Sequence, residues 1–449
     1  MESIIIIVFV VGYLAITLEH SLKIDKLIPA LIMMAVSWAF MSFGIDDFKT
    51  WFESSKHALL TNFDTLNHDD KMHLLEETLL HHLGKTAEIL VFLLGAMTIV
   101  EIIAYFNGFA TIKQFIKTKK KTQLLWIFSS LAFVLSAIID NLTATIVLIS
   151  LLQKLVKDRD IRLWFAGLIV IAANAGGAFS PIGDVTTTML WIANKVSTPH
   201  LFGYLLLPSL VCMVIPTFLA SRLQIFKGNL AVSDDDDDKP VGRFSGTMLY
   251  LGLIAIVFVP IFKMVTHLPP YVGMMLSLGV VAIFAEIYSS SKFSLQSLDK
   301  DGHSSPVHHS LSKIELPSIL FFLGILMAVA ALESLGILFG FADWLKGTTP
   351  QIGTEIAGAE VSDLVVILLG IGSAIIDNVP LVAASLGMFS EPMDNVLWHF
   401  IAYSAGTGGS MLIIGSAAGV VAMGMEKINF FWYLKKISWL AFVGFIAGA

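Results

Sequence analysis

The sequence predicts an all-α polytopic membrane protein with two inverted-topology repeats, each containing a re-entrant hairpin and a broken transmembrane helix. Three observations lead to this prediction: long apolar blocks, a six-residue string that occurs twice, and an apolar stretch interrupted by glycines. Of the 449 residues, 56% are hydrophobic and 14% are charged. This composition is typical of a membrane protein and excludes a soluble enzyme.

Several uncharged blocks approach the length that crosses a bilayer. Residues 203–221, 245–262 and 316–332 carry no charge, and a membrane-spanning helix needs about 20 apolar residues. The opening run, 4–17, has no basic segment before it and no small-residue cleavage site after it, so we interpret it as a first, uncleaved span. The single cysteine, Cys212, lies in an apolar run and forms no intramolecular disulfide.

Two basic loops, residues 113–121 and 154–162, flank an apolar stretch that is interrupted at Asp140 and Asn141. Short loops rich in Lys and Arg stay on the cytoplasmic side. The interruption leaves an apolar arm on each side that is short for a full crossing. Because both ends lie on the same side, residues 124–156 are predicted to form a re-entrant hairpin whose tip lies near mid-membrane.

The string SAIIDN occurs at residues 136–141 and again at 373–378. Aligning residues 174–183 with 406–415 also matches three glycines of each half, namely Gly176, Gly177 and Gly183 with Gly408, Gly409 and Gly415. Acidic residues flank the second hairpin, and five crossings are predicted between the two repeat starts, so the repeats are inverted. Inverted repeats with interrupted helices are typical of secondary transporters whose site lies at the midplane.

This repeat organises the predicted domains, with the N-terminus outside. Residues 46–84 mix apolar and charged positions, which predicts short helices on the outer surface. The predicted parts are N-terminal spans and an outer amphipathic segment on the scaffold side (1–84), a first repeat (85–196, hairpin 124–156, broken helix 164–195), connecting spans (197–315, acidic loop 229–244, cytoplasmic loop 289–315), a second repeat (316–427, hairpin 364–390, broken helix 398–425) and a C-terminal span (428–449).

The apolar stretch around residues 174–191 cannot be one unbroken helix. Gly176, Gly177, Pro181 and Gly183 interrupt it, and Asp184 follows the break directly. A break inside a membrane leaves backbone groups without partners, which is tolerated where they line a cavity or coordinate an ion. The alternative is a packing kink in which Asp184 only caps the second helix.

Three aspartates, Asp140, Asp184 and Asp377, lie within apolar elements that carry no Lys or Arg to neutralise them. Burial favours a protonated carboxylate and a bound cation favours the ionised form, so such a group can exchange a proton for a cation. Since Ser416 aligns with Asp184, the main site is expected beside the first repeat. The predicted cation- and proton-binding residues are Asp140, Asn141, Thr143, Asp184, Thr186, Thr187, Asp377, Asn378, Ser410 and Ser416.

Titratable residues near the predicted spans are candidates for pH sensing. His81 and His82 precede a span that ends near Glu101, and Glu333 occupies a similar late position in the second half. Histidine titrates near neutral pH, which makes a sensing role possible. Exposed loop histidines without a function are the alternative.

The strings SAIIDNLTATIV, NAGGAFSPIGDVTTTMLW and SAIIDNVPLVAA resemble motifs of NhaD-type sodium/proton antiporters in the ion transporter superfamily. The resemblance implies exchange of sodium or lithium for protons by a homodimer with a scaffold and a mobile domain that moves like an elevator. The expected location is an inner membrane, and no cofactor is expected. It places sodium at Asp140, Asn141 and Asp184. It further assigns ion binding to Thr186, Asp377 and Asn378.

Two alternatives remain open. The same architecture could move dicarboxylates or arsenite, although unpaired intramembrane aspartates favour cations over anions. An intramembrane aspartyl protease also needs two buried aspartates that share a proton. Its Gly-x-Gly-Asp pattern is absent here, because Pro-Ile-Gly precedes Asp184 and Ile-Ile precedes Asp140.

Overall fold

The computed structural model describes residues 1–53, 58–60, 62–113, 116, 118–230, 242, 244–293, 305–348, 361–375 and 378–449. Three sequence predictions concern residues outside these ranges: the role of Asp377, most of the acidic loop and the position of Glu355. The described chain is almost entirely helical. One short antiparallel ladder pairs β1 (Phe52–Glu53) with β2 (Ala58–Leu59).

The described ranges contain 21 α-helices. In chain order they are α1 (Glu2–Thr17), α2 (Glu19–Leu22), α3 (Leu27–Phe43), α4 (His68–Tyr105), α5 (Ala110–Lys113), α6 (Lys121–Ile139), α7 (Asn141–Leu155), α8 (Arg159–Ala178), α9 (Val185–Ile192), α10 (Thr198–Ser221), α11 (Ser245–Thr266), α12 (Pro270–Phe293), α13 (Pro306–Leu311), α14 (Leu316–Ser334), α15 (Ile337–Thr348), α16 (Asp363–Ser373), α17 (Asn378–Met388), α18 (Val396–Gly408), α19 (Ala417–Glu426), α20 (Phe430–Lys436) and α21 (Ser438–Gly448).

Within the described ranges, seven helices are long and apolar enough to cross a membrane: α4, α6, α8, α10, α11, α12 and α14. An eighth span results if α20 and α21, which meet at a bend of 51°, are counted together. The prediction of an all-helical polytopic membrane protein is therefore confirmed.

Helix α4 is longer than the sequence predicts. It contains 38 residues, and at 1.5 Å per residue it is roughly 57 Å long, far more than a bilayer core requires. The Asn67 side chain accepts a hydrogen bond from the Asp70 amide at 2.8 Å and caps its start. The prediction of short outer helices up to residue 84 is wrong for residues 68–84, because this cap begins one continuous helix that crosses the expected domain boundary.

Helix α6 also differs from its prediction. It has 19 residues, enough for a crossing, whereas α7 has 15. The polar residues Lys121, Thr122 and Gln123 continue α6 at its start, so this arm is longer than the half-length arm expected from hydropathy alone. Of the two arms of the first predicted hairpin, only α7 has the length expected of a half-span.

The helix breaks of the two halves make matching contacts. Ser136, near the end of α6, donates its hydroxyl to the carbonyl of Ala173 in α8 at 2.5 Å. Ser373, at the end of α16, donates in the same way to the carbonyl of Ala405 in α18 at 3.1 Å. The first residue of each SAIIDN string thus contacts the helix that precedes a break.

Close backbone contact explains the paired glycines of these breaks. A β-carbon on Gly176 would overlap the carbonyl oxygen of Phe133 in α6. A β-carbon on Gly408 would overlap the carbonyl oxygen of Gly370 in α16. Each half therefore requires a glycine where the broken helix crosses its neighbour, and any larger residue would separate the two backbones.

A buried ion pair ties α8 to the end of α19. The Arg162 Nε atom lies 3.2 and 3.1 Å from the two carboxylate oxygens of Glu426, whose side chain is 1% exposed. Arg162 also donates from Nη1 to the carbonyls of Val156 and Lys157. One arginine thus connects the loop after α7 with the broken helix of the second half.

Removing this arginine should destabilise the fold. Arg162→Ala leaves the Glu426 charge buried without its partner, which costs about 3 kcal/mol of unfolding free energy. The matched control is Arg159→Ala, because the Arg159 side chain is exposed and, among the described residues, donates to the Lys427 carbonyl alone, so its loss should cost less than about 1 kcal/mol. Thermal unfolding in detergent measures both variants, and equal shifts would contradict the buried-pair interpretation.

Candidate cation-binding site

A cavity of about 70 Å³ lies where the helix breaks of the two halves approach each other. Its polar lining includes Asp140, Asn141, Asp184 and Asn378. Helices α4, α12 and α14 supply a largely apolar wall, which includes Phe321. The structure thus brings four of the predicted site residues to one small enclosed space.

Asp140 occupies a strained position between α6 and α7. Its backbone has φ 82° and ψ 157°, a conformation that residues other than glycine rarely adopt and that costs about 1–3 kcal/mol. Its side chain caps α7, because Oδ1 accepts from the Thr143 amide at 2.8 Å and Oδ2 accepts from the Thr143 hydroxyl at 2.9 Å. Thr143 therefore orients the carboxylate and does not line the cavity.

Asp184 stands at the first residue before α9 and is 3% exposed. Its carboxylate makes no capping bond to α9 and instead accepts from the Asn378 Nδ2 atom at 3.0 Å. Its backbone carbonyl accepts from the hydroxyls of Thr187 and Thr188, each at 2.9 Å. The threonines fix the turn while the carboxylate reaches the other half of the molecule.

Asn174 is a site residue outside the set predicted from the sequence. It is fully buried in α8 and joins two predicted site residues. Its Oδ1 atom accepts from the Asn141 Nδ2 atom at 3.1 Å, and its own Nδ2 atom donates to the Ser416 hydroxyl at 2.9 Å. The available signal was its position at the start of the aligned glycine string, opposite Gly406.

The remaining predicted site residues lie around the cavity with different roles. Thr186 is fully buried, and its hydroxyl has no hydrogen-bond partner among the described residues. Ser410 donates its hydroxyl to the Thr407 carbonyl at 2.7 Å. Neither Ser410 nor Ser416 lines the cavity, as far as the chain is described. Pro181 contributes its carbonyl, which accepts from Thr188 at 2.9 Å.

One basic residue lies nearer the aspartates than the sequence suggests. Lys26, just before α3, lines the same cavity as Asp140 and Asp184, and its ammonium lies 4.4 Å from the centre of the Phe321 ring. No Lys or Arg lies in the same apolar elements as the aspartates, whereas Lys26 approaches them through the tertiary fold.

A second cavity, of about 220 Å³, follows the first along α4, α9 and α14. His81, His82, Lys195 and Glu333 line it, but Glu101, nearer the other end of α4, does not. His82 is 9% exposed and lies on α4, so the interpretation of both histidines as loop residues is wrong.

Lys195, which lies just after α9, is one of the basic residues that line this cavity. Burial lowers the pKa of its amine, and the carboxylates of Glu391 and Glu333 oppose that shift. Its Nζ atom donates to the Glu391 carbonyl at 3.1 Å and lies 4.6 Å from the Trp398 ring centre. Lys195 thereby joins the first broken helix to the segment that precedes the second.

Comparisons with known proteins identify a family of transporters to which this chain is similar. The chain matches the sequence profile described as citrate transporter over residues 5–401. It is 42% identical to sodium/proton antiporter 1 of Arabidopsis thaliana over 98% of this chain and 70% of that protein. It is 39% identical to sodium/proton antiporter 2 of the same plant (98% and 97%), and 32% identical to the Na⁺/H⁺ antiporter NhaD of Alkalimonas amylolytica (98% and 88%).

A multi-pass helical chain with these relatives is a membrane transporter and not an enzyme, which excludes the protease alternative. Its carboxylates lie at paired helix breaks, where transporters bind their substrates. The chain belongs to the NhaD-type sodium/proton antiporter family.

Proposed function

We propose that this protein exchanges sodium or lithium for protons, with Asp140 and Asp184 forming the exchange site. The observation that carries the proposal is that both carboxylates line one cavity together with the amides of Asn141 and Asn378. A water-sized particle needs roughly 15 Å³, so a cavity of about 70 Å³ has room for a cation and a few waters. The names of the relatives support the same exchange.

The chemistry follows from competition for the same carboxylates. Burial in apolar surroundings favours the protonated form of a carboxylate, whereas a nearby positive charge, either a bound cation or the Lys26 ammonium that shares this cavity, favours the ionised form. Asn378 donates from Nδ2 to Asp184, which leaves its own carbonyl oxygen available as a ligand. A cation that binds Asp140 and Asp184 thus displaces protons, and no cofactor is required.

We propose inverted repeats with re-entrant hairpins as the basis of alternating access. Support comes from α4 and α14, which precede equivalent hairpins and run antiparallel. The start of the α4 span meets the later part of α14 at Thr86 and Met327, whereas the end of α4 meets α13, just before α14, at Tyr105 and His309. The family resemblance suggests that the protein is a homodimer that moves like an elevator. We propose that this homodimer lies in an inner membrane with the N-terminus of each chain outside.

The proposed orientation has a direct test. Lys119 and Arg159 should label from the cytoplasm, and Glu391 should label from outside, because their loops carry opposite charge bias. Glu355, which shares the expectation for Glu391, lies outside the described residues. Single cysteines at these positions in a Cys212→Ala background, treated with an impermeant maleimide on oriented vesicles, give the answer. Labelling of positions 119 and 159 from opposite sides would exclude a first re-entrant hairpin.

Transport in proteoliposomes tests the substrate class. A trapped pH dye should report proton movement on addition of sodium or lithium, and neither potassium nor citrate should produce it. The citrate transporter profile makes a polycarboxylate the competing substrate, but a polyanion would meet two carboxylates in this cavity. Uptake of radioactive citrate without a sodium response would overturn the proposal.

A further inference from the structure

We infer that Asn174 closes the second of two related cation half-sites, so that each chain binds a single cation. The inference rests on the proposed sodium/proton exchange and identifies two residues, Asn174 and Ser416, that together set the number of ions. It is carried by residues at equivalent positions of the two halves whose contacts differ.

Asp184 and Ser416 occupy equivalent positions. Each is the residue before the second half of a broken helix, with φ and ψ of −147° and 148° at Asp184 and −148° and 154° at Ser416. Both follow a tight turn, in which a β-carbon on Gly177 or Gly409 would lie 2.6 or 2.7 Å from the carbonyl oxygen six residues further on. The two backbones therefore present residues 184 and 416 in the same way.

The side chains that meet these two positions differ. Asn378, in the second half, donates directly to the Asp184 carboxylate at 3.0 Å. Its counterpart Asn141, in the first half, would reach Ser416 by the same relation. It donates instead to Asn174 at 3.1 Å, and Asn174 donates to Ser416 at 2.9 Å. An extra amide is thus inserted between the two partners in one half only.

The residue aligned with Asn174 is Gly406, which has no side chain to insert. A β-carbon built on Gly406 would lie 3.6 Å from the Asp184 Oδ2 atom, so any side chain there would lie against the carboxylate. The buried Asn174 side chain occupies the corresponding space beside Ser416. One half-site is therefore open because of a glycine, and the other is filled by an amide.

The half-site that Asn174 fills lacks a free oxygen ligand and a negative charge at Ser416. The Ser416 hydroxyl accepts from Asn174 Nδ2 and from the Gly419 amide at 3.2 Å, which uses both of its lone pairs. It carries no formal charge, so nothing offsets the Asn174 N–H that points at it, whereas the Asp184 carboxylate, which also accepts an amide N–H, is negative when ionised. Ser416 also does not line the cavity as described, whereas Asp184 does. Among the described residues, a single cation site follows, beside Asp184.

Equilibrium binding of radioactive sodium to the purified full chain measures the number directly. We expect one sodium per chain at saturation, and none in Asp184→Asn. Two sodium ions per chain would overturn the inference and leave the proposed exchange intact. No saturable binding between pH 6 and pH 9 would instead overturn the proposed exchange, and the inference with it.

Mirror-image variants test the role of the amide itself. Gly406→Asn should place an amide against Asp184 and weaken sodium binding at least about tenfold relative to Gly406→Ala, whose β-carbon would lie 3.0 Å from Ala178 and 3.6 Å from Asp184 Oδ2 but brings no amide. In the other half, Asn174→Gly combined with Ser416→Asp should create a second sodium site, and neither substitution alone should do so. Thermal unfolding identifies any variant that fails to fold. Equal affinities in the two Gly406 variants, or one sodium in a folded double variant, would overturn the inference.

Discussion

Replacing Asp184 with asparagine should reduce sodium-driven proton release to the background of protein-free vesicles while the protein stays folded. Asparagine keeps the size of the side chain and an oxygen that can accept from Asn378, which donates to Asp184 at 3.0 Å. It removes the titratable charge, so the site can no longer release a proton when a cation binds. Fluorescence dequenching at several pH values measures the loss.

The matched control for this variant is Ser416→Ala, at the equivalent position of the second half. Its hydroxyl accepts from Asn174 and the Gly419 amide away from the cavity, so exchange should persist with at most a changed sodium affinity. If Asp184 served only to join the two halves through its hydrogen bond from Asn378, asparagine, which keeps an accepting oxygen, would be nearly silent. Substantial exchange with a normal pH profile in Asp184→Asn would therefore disprove its role in proton release.

Asp140→Asn should abolish exchange to the same extent. The capping bond from the Thr143 amide to residue 140 survives, since asparagine has one carbonyl oxygen in place of Oδ1. Asparagine also tolerates a positive φ better than most residues, so the observed φ of 82° can be kept. Folding should persist while the exchangeable charge is lost, which vesicle exchange and thermal unfolding measure together.

Thr143→Val separates the charge of Asp140 from its hydrogen-bond support. Valine keeps the shape and the backbone amide and removes only the hydroxyl that donates to Asp140 Oδ2 at 2.9 Å. We expect exchange to continue in this variant with a weaker apparent sodium affinity. Loss of transport in Thr143→Val together with full activity in Asp140→Asn would mean that the loop geometry matters and the charge does not.

Local signals explain what could be predicted from the sequence. Glycines and a proline within an apolar stretch prevent a continuous helix, and α8 indeed ends at Ala178 while α9 begins at Val185. The repeated SAIIDN string indicated equivalent hairpins, and Ser136 and Ser373 make equivalent contacts in the structure. The role of the site residues in ion binding stays a prediction.

Contacts between distant segments explain what could not be predicted. Lys26 reaches the cavity from a segment more than 100 residues before Asp140, and no local pattern encodes that approach. In the sequence, Asn174 is a small polar residue in a glycine-rich helix. Its role is apparent only in the structure, where it accepts from Asn141 and donates to Ser416. The continuity of α4 was hidden because its charged first half lies beyond the apolar span.

The backbone at Asp140 shows that fold stability alone does not account for the residue found there. Glycine would relieve a strain of about 1–3 kcal/mol at φ 82° and ψ 157°. Exchanging the cap for glycine would cost only a few tenths of a kcal/mol. If only the stability of the fold mattered, glycine would therefore be favoured at position 140. An acidic residue in that conformation therefore lowers the stability of the fold, a cost that proteins carry mostly at functional sites.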